Sequence, residues 1–103
     1  MLIIQTTVPT SDAGEGLATK IVEAKLAACV QVLPRMTSVY IWKDRVTSEG
    51  EHLLLIKTLP ARFDELAEFI KANHPYEVPE IVAIEAAKVS GPYLDWINEV
   101  VGE

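Results

Sequence analysis

The chain has 103 residues, which suffices for one core and is too short for two, and it can fold without disulfide or metal staples. Its apolar fraction of 50% excludes intrinsic disorder, because burial can offset chain entropy. Nine basic against fifteen acidic residues leave a net charge of −6, so nucleic acid and anionic membrane surfaces are repelled on average and cationic partners are favoured.

Leu2 to Val8 is rich in β-branched residues and stops at Pro9, which predicts a first strand. Thr10, Ser11 and Asp12 offer helix caps, with Asp12 and Glu15 spaced as a capping box, and Leu17, Ile21, Ala24 and Ala28 recur at helical spacing. A helix is therefore expected to run to about Leu26 or Ala27, weakened in its first turn by Gly14 and Gly16. Ala28 to Leu33 returns to a β-like run, Pro34 interrupts it, and Thr37 to Trp42 resumes it. The polar stretch Lys43 to Gly50 is expected to turn the chain into a strand from His52 to Leu59, completing a long hairpin. Pro60 suits a helix start, Phe63, Leu66, Ala67 and Ile70 form one apolar stripe, and Pro75 ends that helix at or before His74. Val78 to Ala86 predicts a fourth strand, and Gly91-Pro92 opens a last helix carrying Leu94, Ile97 and Val101.

The order is α+β: a ferredoxin-like β-α-β-β-α-β sandwich with a four-stranded antiparallel sheet and an added C-terminal helix, one domain over residues 1–103. Leu53-Leu54-Leu55-Ile56 and Ile81-Val82-Ala83-Ile84 are apolar without alternation, so they present apolar side chains to both sheet faces. Two or three helices cannot cover both faces, and self-association is the expected solution.

A single cysteine, Cys29, forms no internal disulfide, and the chain opens on Leu2-Ile3-Ile4 without a charged leader, so a cytoplasmic location is expected. The longest apolar stretch falls far short of the roughly 20 residues that span a bilayer. Other chemistries of this topology lack their residues. An RNA-recognition sheet needs aromatics on a central strand, where His52 to Lys57 has none. A metal chaperone needs two thiols after the first strand, an acyl-phosphate hydrolase needs a basic cradle there, and Thr7-Val8-Pro9-Thr10 supplies neither. No phosphate loop, nucleophile elbow or zinc-protease motif is present, and no enzyme is expected.

His74-Pro75-Tyr76-Glu77-Val78-Pro79-Glu80 gathers an imidazole, a phenol and two carboxylates on a proline-stiffened segment. Imidazole with carboxylates suits Cu(II), Ni(II) or Zn(II); the alternative is that His74 caps the carbonyls of the preceding helix. Cys29 lies in an apolar setting that favours a packed thiol. His52 is expected to be solvated, Glu49 and Glu51 to be exposed hairpin acids, and Tyr40 and Trp42 to share a face as packing or interface anchors.

Together these segments resemble the CutA family of divalent-cation tolerance proteins. The match rests on Leu26 to Val30, Thr37 to Trp42, Leu54 to Thr58, His74 to Ile81 and Tyr93 to Ile97, in order along nearly the whole chain. The resemblance implies a ferredoxin-like subunit in a tight homotrimer, tolerance to copper and other divalent cations, and no established enzymatic activity. It points to a divalent metal, Cu(II) among others, with His74, Glu80 and Cys29 as ligands. The trimer is similar to that of PII signalling proteins, which implies the alternative of a small-ligand sensor or partner-anchoring module, with Lys43 and Arg45 on a mobile Lys43 to Glu49 loop as anion contacts. Two departures matter. Thr6 or Thr7 stands where some members carry a second cysteine, which leaves harder ligands than a Cu(I) site needs. Asp44 stands where the hairpin usually has Gly, a position Asp tolerates in the left-handed region.

Overall fold

The structure, a computed structural model, describes residues 1–102. Its elements are β1 (Leu2–Val8), α1 (Ser11–Glu23), β2 (Cys29–Val32), β3 (Met36–Trp42), β4 (Arg45–Thr58), a 3-10 turn at Pro60–Arg62, α2 (Phe63–Asn73), β5 (Val82–Glu85) and α3 (Gly91–Val101). The sheet is antiparallel in the order β2-β4-β1-β5, with β3 also paired to β4, so the split β-α-β pattern stands with five strands rather than four. The extra strand arises at Pro34, which has no N–H to donate and parts β2 from β3. One continuous β4 then serves both, pairing Leu54 to Lys57 with β2 and Arg45 to Glu51 with β3.

The reversal after Trp42 takes two residues, not the eight expected. Lys43 and Asp44 adopt φ of 50° and 64°, the two left-handed positions of a tight hairpin turn, and Arg45 already pairs with Trp42. Lys43 to Glu49 is therefore a turn and a strand, which removes the mobile loop that the anion-sensor alternative requires. The hairpin lengthens the molecule to 44 × 26 × 22 Å, with a radius of gyration of 14.2 Å against about 13 Å for a globular chain of this size.

Thr10, rather than Asp12, caps α1: its side chain accepts from the Ala13 N–H at 3.1 Å. α1 stops at Glu23 because Lys25 swings to φ 57°, and the Lys25 and Leu26 N–H groups return to the Val22 and Ile21 carbonyls as a Schellman motif. That turn drops Leu26 into the core. Gly14 is buried because α1 crosses the sheet closely: a Cβ there would stand 3.0 Å from Val32 and 3.1 Å from Val8.

Alternation along the paired strands sorts the apolar runs. Ile4 and Val8 of β1 join Leu54 and Ile56 of β4 under Leu17 and Ile21 of α1 and Leu66 and Ile70 of α2. Each such side chain contributes about 1.5–3 kcal/mol on burial. The register puts Ile3 across from Ile84, Gln5 across from both Leu55 and Val82, and Thr7 across from Leu53, all on the opposite face. α3 occupies one end of the molecule, packing Ile97 and Val101 on Ala28 and Leu59, with Lys57 Nζ 5.5 Å from the Tyr93 ring centroid. Ile3, Leu53 and Leu55 stay half-buried and Val82 and Ile84 exposed, as do Val39, Ile41 and Val46 on the hairpin. None of the helices among the described residues is long and apolar enough to cross a membrane.

Candidate functional site

The short turn fixes which side chains share a face of the hairpin. Ser38 pairs with Glu49, Tyr40 with Thr47 and Met36 with Glu51, so Tyr40, Trp42, Glu49 and Glu51 project the same way. The sequence shows two like-faced pairs; the register merges them. Facing them is the segment after α2, and the space between hairpin and segment is a cleft of about 720 Å³. Glu49, Glu51, Glu77 and Glu80 line it together with Tyr40, Trp42 and Tyr76, and no lining residue is basic.

His74 holds this geometry. It is the C-cap residue of α2, but its ring turns to β1 instead of back onto the helix carbonyls, where Asn73 Nδ2 donates to the Phe69 carbonyl at 2.8 Å. Nδ1 accepts from the Tyr76 N–H at 3.0 Å, which places the ring proton on Nε2, and Nε2 donates to the Thr7 carbonyl at 2.8 Å. Thr6 Oγ1 lies 3.3 Å from the same nitrogen. Both ring nitrogens are thus engaged, and the Tyr76 ring packs 4.9 Å away, centroid to centroid.

The latch positions Tyr76, whose hydroxyl donates to Glu51 Oε2 at 2.7 Å. Burial first, then that bond and the Glu51 charge, holds the phenol well above its usual value, so Tyr76 remains a donor at any working pH. Partial desolvation and then the Glu49 charge push Tyr40 the same way. Glu51 is only 7% exposed, which corrects the reading of an exposed hairpin acid: Tyr76 covers it. Its Oε1 accepts no hydrogen bond, and no ion pair reaches it among the described residues.

The predicted ligands are dispersed. Glu80 lines the cleft, His74 stands behind it as the latch, and Cys29 is half-buried at the start of β2 opposite Lys57, on the open sheet face rather than in a core. No group of three or more His, Cys, Asp or Glu side chains among the described residues is arranged to hold a metal ion. His52 is half-buried rather than fully solvated: its Nδ1 donates to the Leu33 carbonyl at 2.9 Å and ties β4 to the joint between β2 and β3. Lys43, one of the proposed anion contacts, sits over Trp42, its Nζ 5.9 Å from the ring centroid.

The burial that lowers the His74 pKa has a consequence for stability, though the Thr7 carbonyl and Glu51 charge oppose it in part. The unfolded chain binds the proton more tightly than the folded one, so this contribution is fully present above the unfolded pKa of about 6.5 and is lost as the pH falls through the folded value. Urea midpoints should fall between pH 7.5 and pH 5.5, and His74→Asn should flatten that slope. An unchanged slope in the variant would assign the effect elsewhere.

Comparison with known proteins places these features in a family context. Residues 2–100 match the model of the CutA1 divalent ion tolerance protein family. The Divalent-cation tolerance protein CutA of Thermus thermophilus is 44% identical over 100 residues, which are 97% of this chain and 97% of that protein. The chloroplastic Protein CutA of Arabidopsis thaliana is also 44% identical, over 94% of this chain, and this chain spans about half (53%) of its length. The solved Thermus thermophilus structure, titled a divalent cation tolerance protein, superposes with a TM-score of 0.94 over 99% of this chain and 100% of that one.

Proposed function

The chain belongs to the CutA1 divalent ion tolerance family, and from that premise we propose that it binds divalent cations as a homotrimer, in the cytoplasm, without a catalytic step. The observation that carries the reading is the cleft, which four carboxylates line and where no base among the lining residues competes with a cation. The matching family and the Thermus thermophilus relative are named for divalent-cation tolerance and not as enzymes, which agrees with a binding role.

The donor set favours oxygen ligation. Glu80 with Glu49 and Glu77 offers carboxylates suited to hard or borderline ions, whereas the lone pair of His74 is spent on the Tyr76 N–H and ligation there would break the latch. Cys29 offers soft ligation only in isolation. One chain supplies too few convergent donors to close a coordination shell, so the ion keeps part of its water or takes further donors from a neighbouring subunit. Support for the trimer comes from the open face of Ile3, Leu53, Leu55, Val82 and Ile84, together with the exposed hairpin residues Val39, Ile41 and Val46.

Calorimetric titration with Cu(II) and with Mn(II) tests the site. Both ions should bind, and Glu80→Gln should weaken binding about tenfold, ~1.4 kcal/mol. Equal affinity in the variant removes Glu80 from the site, and a wild type that binds neither ion more tightly than about 1 mM overturns metal binding.

A further inference from the structure

Between the end of α2 and the start of β5 the chain runs along one wall of the cleft as a strap, Pro75 to Glu80, that is thinly held. Among the described residues its backbone forms no backbone–backbone hydrogen bond and no ion pair reaches it, and Val78 is 69% exposed. Pro75 and Pro79 stiffen it and have no N–H to donate. Two anchors fix it. At one end the Tyr76 N–H donates to His74 Nδ1 and the Tyr76 hydroxyl to Glu51 Oε2, and just past the other end Ile81 packs on the core. Segments with few buried apolar groups and few backbone bonds open at a free energy well below that of global unfolding. The strap also carries a load: Glu77 and Glu80 line the cleft opposite Glu49 and Glu51 of the hairpin, and no lining residue is basic. Closing the strap brings like charges together, and their repulsion works against the Tyr76 latch.

We propose that Pro75 to Glu80 swings as a unit between a closed state, latched by Tyr76 to Glu51, and an open one, with repulsion across the cleft driving it open and a divalent cation holding it closed. Opening parts Glu77 and Glu80 from Glu49 and Glu51, so only the closed strap presents all four carboxylates to one ion. A cation that binds the closed state more tightly shifts the equilibrium toward it. His74 is the fixed post of the latch, because its Nε2 is bonded to the Thr7 carbonyl of β1, a strand paired with β4 along its whole length. Opening therefore breaks the Tyr76 N–H bond to His74 Nδ1 and leaves the ring in place, which makes that amide the reporter of the motion. The cation's part in this device rests on the cation reading of the cleft, whereas the motion of the strap does not.

The test is amide hydrogen exchange of the full chain, read residue by residue by NMR, first with a chelator and no metal. The Tyr76 N–H should exchange at least about tenfold faster than that of Leu54 in the paired centre of the sheet, at a rate that low urea leaves unchanged, because local opening exposes little surface. Tyr76→Phe should speed exchange at position 76 at least about tenfold beyond any change at Leu54. Glu77→Gln should slow it about threefold, while Glu15→Gln on α1 changes nothing. Saturation with Zn(II), which is diamagnetic, should slow it at least about tenfold. Exchange of Tyr76 only through global unfolding, with the urea dependence of Leu54, overturns the proposal even if Tyr76→Phe fails to fold. So does a Glu77→Gln variant that exchanges as fast as the wild type, or bound Zn(II) that leaves the amide unchanged. If calorimetry finds no Zn(II) binding, the cation reading falls and the cation's part in the device with it, while the urea and Glu77→Gln results still decide the strap.

Discussion

Replacing Leu55 with aspartate is expected to convert the proposed trimer to single chains while leaving the subunit folded. Leu55 sits half-buried on the open face of the central strand β4, and its neighbour Leu54 is fully buried against α1 and α2. Burying a leucine contributes about 1.5–3 kcal/mol, repeated in each subunit of a trimer, and an unpaired charge in the same place costs several kcal/mol more. Sedimentation equilibrium should give a mass three times the 11.4 kDa of one chain for the wild type and 11.4 kDa for Leu55→Asp, with unchanged far-ultraviolet circular dichroism. Leu54→Asp, one residue away on the other face, should abolish folding, because the penalty approaches the whole stability of a domain, about 5–15 kcal/mol. A wild-type mass of 11.4 kDa at micromolar concentration would refute the assembly.

Tyr76→Phe carries the second large effect. It removes the hydrogen bond to the buried Glu51 carboxylate, and bonds to charged groups contribute about 1.5–3 kcal/mol. Urea unfolding should report a loss of that size. The double variant Tyr76→Phe with Glu51→Leu should recover most of it, because removing the buried charge removes the group left unsatisfied. Additive losses in the double variant would mean that Glu51 and Tyr76 act independently.

The fold was legible in the sequence wherever packing dictates the pattern. The stripe Phe63, Leu66, Ala67, Ile70 marks α2 because one face of that helix enters the core, and the unbroken apolar runs of β4 and β5 reflect a sheet with two apolar faces. The outer half of β4 was not legible, since Arg45 to Gly50 lies on a hairpin that packs against no core, and its strand state comes from pairing with β3. The signal that was present is Lys43-Asp44: Asp tolerates positive φ, and a two-residue turn there fixes the register that joins Tyr40 and Trp42 to Glu49 and Glu51. The site was half legible. His74 and Glu80 fall in the right segment, but the partition between latch and cleft depends on contacts with Thr7, 67 residues away, and with Glu51, 25 residues from Tyr76. Local spacing carries no such information, and Glu51 in particular looks like any exposed acid until Tyr76 closes over it.

Those contacts make one measurement decisive: a crystal soaked in Mn(II) and read by anomalous scattering. The account predicts an ion in the cleft bordered by Glu80 and its neighbouring carboxylates, with His74 still bonded to the Thr7 carbonyl and the Tyr76 N–H. An ion ligated by His74 with the Tyr76 N–H released, an ion at Cys29, or a cleft without an ion at saturating Mn(II) would contradict it.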